Sequence, residues 1–411
     1  MKKTIILVAI WLFTVLSGNS QAVEVDLLGN VDVHGFVSQG YMRSQHNNYL
    51  ANDSSDGTFA FNEIGINFSK QLTDRLRIGL QLFSRDLGQI GNNEIELDWA
   101  LADYRWKDWL GLRAGKIKLP FGLYNETRDI DALRTSIFLP QSVYPEIYRA
   151  TNVAVKGAGI YGNVPINSLG SLSYNILAGT TDISGDNDNG MIREINGYGG
   201  IEVSGDLDVG EIYAGGLEWQ TPLEGLLLKT TLRRMDWDIP SETTDTSLGL
   251  PAGTSIKTKI SKLIEVVYSV EYTWEDLVLA AECYRMRSQP EIFVSSLDLV
   301  VPQEMSKRLG YYYSAAYRFS PLFEAGTYYS KWYTDRDDKD GSEGGPSGQY
   351  VRNYQGWLED YALSLRFDIN EYWVCKLEGH RMNGAAFCLG LDNEDFEDHW
   401  YMFAAKLTFS F

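Results

Sequence analysis

Hydrophobic and polar residues alternate with period two along most of this chain. From residue 62 to 71, Ile64, Ile66 and Phe68 take one face while Glu63, Gly65, Asn67 and Ser69 take the other, which is the mark of a strand with one apolar face. After a tight Leu72-Thr73-Asp74 turn, Leu76, Ile78, Leu80 and Leu82 alternate with Arg77, Gly79, Gln81, Phe83 and Arg85. The pattern predicts sixteen strands, at 33–42, 62–71, 75–85, 94–106, 110–119, 153–163, 172–179, 211–221, 226–235, 260–274, 277–287, 308–319, 323–334, 357–369, 372–382 and 397–411. The phase is ambiguous in the fourth, where Leu97, Trp99 and Leu101 share a face with Asp103 and Arg105. A bulge there restores the alternation.

Connections between these strands alternate short and long, as in an up-and-down barrel with tight turns at one end and extended loops at the other. The polar face settles which side is outside. It carries Glu63, Arg77, Gln81, Arg85, Asp360, Arg366 and Lys406, too many charges to bury unpaired in a small soluble barrel. The polar face therefore lines water and the apolar face meets lipid. The expected fold is all-β, a closed antiparallel transmembrane β-barrel of about 16 strands. Aromatic residues make up 13% of the chain, with 25 Tyr and 11 Trp, and those at strand ends fit interfacial girdles. No run of 18 apolar residues is present, which excludes a helical membrane protein. Lys2 and Lys3, the apolar run 5–16 and Ser20-Gln21-Ala22 read as an export signal cleaved after Ala22. That leaves 23–411 as a single barrel domain, and takes the net charge from -19 to -21.

One connection breaks the pattern. Pro120 ends the fifth strand by removing a backbone donor, and 120–152 runs on without alternation, far beyond ordinary loop length. Ile137, Phe138, Leu139, Val143, Tyr144 and Ile147 give it apolar surface to pack. As the third long loop it is expected to fold into the bore as a constriction. Arg113, Lys116, Lys118, Arg128, Arg134 and Arg149 outnumber Glu126, Asp129, Asp131 and Glu146 there, a basic island in an acidic chain. The candidate pore-lining set is Arg77, Arg85, Arg113, Lys116, Lys118, Glu126, Arg128, Asp129, Asp131, Arg134 and Arg149. Two roles are open to its cations: pairing with nearby carboxylates to pin the loop, or facing the constriction and favouring anions.

Other chemistry is sparse. His34, His46, His380 and His399 lack metal-ligand spacing, and Cys283, Cys375 and Cys388 are too few for a disulfide framework. Asp398 and His399 are adjacent and so point to opposite faces of a strand, without a serine to complete a triad. Neither catalysis nor a cofactor is expected, and the acidic chain has no footprint for nucleic acid. The acidic run Asp335, Asp337, Asp338, Asp340 and Glu343 reads as a solvated loop, with a divalent cation bridging lipopolysaccharide as the alternative.

Arg113-Ala114-Gly115-Lys116-Ile117-Lys118-Leu119-Pro120-Phe121-Gly122-Leu123-Tyr124-Asn125-Glu126, with the export signal and the C-terminal Phe411, resembles the porin superfamily of Gram-negative bacteria, and within it the phosphate-selective porins. The resemblance implies a homotrimer in the outer membrane, a third loop folded inward, and Phe411 as an assembly signal. It does not carry phosphate across, since the bore shows no basic ladder. The expected function is passive diffusion of small hydrophilic solutes or ions, in contact with outer-membrane lipid and lipopolysaccharide. The alternative is a surface or envelope barrel acting through its loops in adhesion, phage binding or assembly.

Overall fold

The computed structural model describes residues 31–344 and 352–411. The expected export signal, 1–22, lies outside them. Nineteen strands form one antiparallel sheet: β1 (Asp32–Ser44), β2 (Phe61–Thr73), β3 (Leu76–Leu87), β4 (Ile95–Lys107), β5 (Leu110–Lys118), β6 (Ala154–Pro165), β7 (Ser171–Thr180), β8 (Ile201–Val203), β9 (Asp208–Val209), β10 (Ile212–Gln220), β11 (Leu226–Thr243), β12 (Ser255–Trp274), β13 (Leu277–Val294), β14 (Leu299–Pro302), β15 (Ser306–Ser320), β16 (Phe323–Tyr333), β17 (Trp357–Asp368), β18 (Trp373–Gly384) and β19 (His399–Ser410). The short β8, β9 and β14 pair only at loop ends with β11 and β13. The other sixteen close a barrel, because β1 pairs with both β2 and β19. Closure leaves no free edge. At the seam the Phe411 amide and carbonyl exchange 3.0 Å hydrogen bonds with Gly35. The Phe411 ring lies so close that a β carbon on Gly35 would meet it at 2.6 Å.

Burial runs opposite to that of a soluble barrel. Ile176, Leu232, Tyr268, Tyr313, Leu363 and Tyr401 are about half exposed, while Thr231, Arg233, Glu282, Lys376, Glu378 and Lys406 are nearly inaccessible. The apolar phase of each strand thus faces outward and the polar phase inward, as a lipid-embedded barrel requires. Trp106, Trp109, Trp274, Phe319 and Tyr372 lie exposed at the short-turn end, where indole and phenol rings suit a membrane interface.

The ambiguous phase of β4 is resolved by a bulge. Gln81 pairs with Trp99 and Leu82 with Leu97, so Asp98 is extra to the ladder; its buried carboxylate accepts from Gln81 Nε2 at 3.0 Å. Strands β11, β12 and β13 are longer than their alternation predicts, at 18, 20 and 18 residues. In β12 a register shift between Ser261 and Ile264, with Lys262 at φ 54°, explains the shortfall; in β11 and β13 the inward phase runs on unchanged. Inward positions of β12 are odd from Leu263 to Ser269 and even at Ile256. The period-two signal is lost where the bulge changes its phase, although pairing continues.

Candidate functional site

The 34 residues between Lys118 and Val153 contain only short turns of helix, at Asn125–Thr127, Asp131–Leu133, Glu146–Tyr148 and Arg149–Asn152. Their backbone groups need partners from elsewhere, and inward side chains of the wall supply them. The amides of Ile137 and Phe138 donate to Glu378 at 2.7 and 3.1 Å, and that of Leu123 to Glu282 at 2.8 Å. Wall cations take the carbonyls: Arg366 donates to Ala132 O at 2.7 Å, Lys376 to Asp131 O at 2.8 Å and Ser136 O at 3.1 Å, and Arg233 to Thr151 O at 2.7 Å. Ile137, Leu139, Val143, Tyr144 and Ile147 are buried beside these bonds.

Three carboxylates tie the segment to the wall by charge. Asp131 sits 3.0 Å from Lys406 and 3.4 Å from Lys376, 3.3 Å from Arg134, and accepts from Thr408 Oγ1 at 2.6 Å. Asp129 pairs with Lys118 at 2.6 Å and Arg149 at 2.7 Å, and both cations also reach the bulge carboxylate of Asp98. Glu146 bridges Arg85 at 2.8 Å and Arg128 at 2.7 Å. Burial opposes ionisation of all three. The clustered cations win, holding Asp129 and Asp131 well below the usual carboxylate range and Glu146 at about 2. Arg134 also donates to the carbonyl oxygens of Arg128 and Ile137.

Arg85, Lys118, Arg128, Asp129, Asp131, Arg134 and Arg149 thus fall into three groups of ion pairs, centred on Glu146, Asp129 and Asp131. The remaining expected residues lie apart from it. Arg77 is exposed near the β2–β3 turn. Arg113 pairs with Asp103 at 3.0 Å and stacks on the Tyr161 ring at 4.1 Å, low on β5. Lys116 shares the outward phase of exposed Leu112, and its ammonium meets Leu97 O at 2.5 Å. Burial raises the carboxyl of Glu126, which lies near Lys229 and Arg113. Arg233, Glu282, Lys376 and Glu378 were missed by the sequence reading. Their signal was a charge at an inward position of an alternating strand, which the reading used for the fold and not for the site. Asp398 and His399 are largely exposed and 4.0 Å apart.

The gap enclosed by this network measures only about 20 Å³. It is lined by five cations, Arg85, Arg128, Arg134, Arg149 and Lys406, and three carboxylates, Glu63, Asp86 and Glu146. A far larger cavity of about 630 Å³ opens between the same loop, the helix Gly190–Gly197 and the extended parts of β11–β13.

No protein-family model matches the chain, and no curated protein matches it in sequence. Solved structures do match in shape. The outer-membrane channel DcaP of Acinetobacter baumannii is 9% identical over 93% of this chain and 97% of that one, with a TM-score of 0.55. The trimer form of OmpT of Vibrio cholerae is 10% identical over 93% and 99%, with a TM-score of 0.53. The anion-selective porin from Comamonas acidovorans is 10% identical over 93% and 99%, with a TM-score of 0.51. At 9–10% identity these likenesses are of fold alone, and the phosphate-selective resemblance stays with the short motif from Arg113 to Glu126. By closure, by its inverted burial and by these neighbours, the chain has the sixteen-stranded β-barrel fold of bacterial outer-membrane porins.

Proposed function

We propose that this protein is an outer-membrane porin whose third loop, 120–152, constricts the bore and biases it toward small anions. The supporting observation is the charge lining the narrow gap, five cations against three carboxylates. One cation at roughly 7 Å acts on a passing anion with about 0.6 kcal/mol in bulk-like water and about 2.4 kcal/mol at an effective dielectric near 20. Asp98, Asp129 and Asp131 stand behind Arg149, Arg134 and Lys406 and offset part of their charge, so the lining gives a preference, not exclusion. One of the structural neighbours is named as anion-selective, which agrees with this reading. The test is the reversal potential of the purified protein in a planar bilayer under a KCl gradient. Anion preference is expected, and strong cation preference overturns the proposal.

The size of the gap favours a second reading. About 20 Å³ holds roughly one water, too little for a hydrated ion to pass through this gap. A barrel that inserts but carries no current would be a surface or envelope protein acting through its loops. A homotrimer fits the exposed apolar faces of early and last strands, including Val37, Ile64, Ile66, Tyr401, Phe403 and Leu407, and one neighbour is named as a trimer. Detergent-solubilised mass by light scattering checks it; a single-barrel mass in every mild detergent removes it. Arg43 and Arg381, on the rim at the long-loop end, suit contact with lipopolysaccharide phosphates.

A further inference from the structure

We propose that the outer wall over β17–β19 and β1 holds one lipid A moiety of lipopolysaccharide, with phosphate on Arg43 and Arg381 and an acyl chain laid over Gly379. This rests on the porin reading, which sets the barrel in the outer membrane, and deepens it by turning a general lipid contact into a stoichiometric site. The site is an open groove of about 840 Å³ on the lipid-facing side. Along its floor the outward positions of β18 are Leu377, Gly379 and Arg381. Gly379 stands between Leu363 of β17 and Phe403 of β19, and Arg381 stands between Tyr361 and Tyr401 of the same two strands. All four flanking side chains are about half exposed.

A glycine inside a strand weakens it, and often marks a bulge, a crowded backbone or a place where a ligand lies close. Crowding explains Gly35, Gly40 and Gly65, where a β carbon would meet an aromatic ring at 2.6, 2.1 and 2.4 Å. On Gly379 it would meet nothing within 4 Å, alone among the described glycines of the wall strands. Packing does not require that glycine, and its effect is a slot between two apolar ridges. The level of the slot suits a lipid. Arg381 shares a cross-strand row with Tyr313, Tyr329, Tyr361 and Tyr401, an aromatic girdle of the kind that sits at headgroup depth. Gly379 lies one row further into the hydrocarbon.

Arg43 of β1 pairs with Phe403, in the row of Gly379. Two strand spacings, about 10 Å, and one row separate it from Arg381, so both side chains reach one headgroup. Neither arginine has a hydrogen bond or ion pair among the described residues, and no Asp or Glu lines the groove. Glu359, one row above, is already taken by Lys331 at 3.2 Å and by Tyr361 Oη at 2.9 Å. Two unpaired guanidinium groups at headgroup depth suit phosphate oxygens, which they meet as planar forks. Tyr401 and Phe403 also belong to the face proposed for a homotrimer, so a second copy of this chain is the competing occupant. Val37, Ile64 and Ile66 of that face bring no counter-charge for the arginines, which favours the lipid.

The test is native mass spectrometry of the full folded barrel in detergent, titrated with diphosphoryl lipid A, with the same lipid stripped of its phosphates, and with inorganic phosphate as competitor. One lipid A per barrel is expected, at least about tenfold weaker without the phosphates. Inorganic phosphate at equal concentration should not displace it, because it lacks the chain. Arg43→Gln combined with Arg381→Gln should weaken lipid A by a similar factor. Gly379→Phe, whose β carbon enters open space, should leave thermal unfolding unchanged and weaken both lipids several-fold. Equal binding of the two lipids, unchanged binding in the arginine variant or in Gly379→Phe, or displacement by inorganic phosphate would each overturn the proposal. So would a barrel that takes no lipid A and changes its oligomeric mass on Gly379→Phe, since the groove then belongs to a second copy. If Gly379→Phe fails to fold, the arginine variant and the lipid comparison on the unaltered protein still decide. Binding in micelles needs no conduction. A barrel that binds lipid A but passes no current removes the porin reading alone, and one that conducts but binds no lipid A removes this proposal alone.

Discussion

Two regions meet at the third loop, and they use charge in opposite ways. Below Tyr144 and Ile147 the loop is held by Asp129, Asp131 and Glu146, each carboxylate shared between at least two cations. Above, the larger cavity is walled in good part by apolar side chains, Val143, Met191, Ile239, Leu263 and Met286 among them. Saturated pairs resist rearrangement, because removing one member strands another buried charge. The narrow part is thus held by paired charge, and the wide part is walled largely by apolar packing.

The largest effect is expected from breaking the lower region at Asp131. Asp131→Ala leaves Lys376 and Lys406, both nearly inaccessible, without that counter-charge, at a cost of about 3–5 kcal/mol. Chemical denaturation should show the loss, and bilayer recordings should show larger, noisier conductance as the loop loosens. Unchanged stability and conductance would mean that the remaining ion pairs and the wall's bonds to the loop backbone hold it without Asp131.

Acid should act in the same direction through Glu146. Its carboxylate is held at about 2 against an ordinary 4.5, so its stabilisation is complete above about 4.5 and is lost as pH falls from there through about 2. The full effect is about 3 kcal/mol. Conductance should be steady from pH 7 to 5 and change between 4 and 2, and Glu146→Gln should remove that change. A transition centred near pH 6 would point to another group.

Charge substitutions grade the selectivity argument. Replacing Arg128 and Arg134 together by Glu should shift the KCl reversal potential toward cations, but Arg128 is paired with Glu146 and Arg134 donates to loop carbonyls, so the change also disturbs the loop. Arg85→Gln is the milder test, because Arg128 remains to hold Glu146; a shift worth about 1 kcal/mol is expected. A reversal potential that stays put while the pore conducts assigns these arginines to pinning. The smallest effect belongs to Arg77→Gln. At the exposed mouth it is screened over about 8 Å at physiological salt, and a shift as large as that of Arg85→Gln would undo the contrast between mouth and gap.

The sequence by itself determined the barrel. Period-two alternation is a local property, so the sixteen wall strands, most of their inward and outward phases, the bulge in β4 and the exceptional character of 120–152 were readable from neighbours a few residues apart, but the far parts of β11–β13 were not. It also named Arg85, Lys118, Arg128, Arg134 and Arg149, which the structure joins in ion pairs with Glu146, Asp129 and Asp131. Which charge meets which was not readable. Asp131 finds Lys376 and Thr408 at separations of 245 and 277 residues, and Asn47 of the first long loop bonds to Glu397 across 350, contacts that exist only after β19 closes on β1. Closure likewise set Arg77, Arg113 and Lys116 apart from the loop and gathered Arg308, Trp237 and Ser241 around one cavity. Alternation says which way a side chain points, but the distance across a barrel depends on strand tilt, register and where the loop comes to rest, and those are properties of the closed sheet.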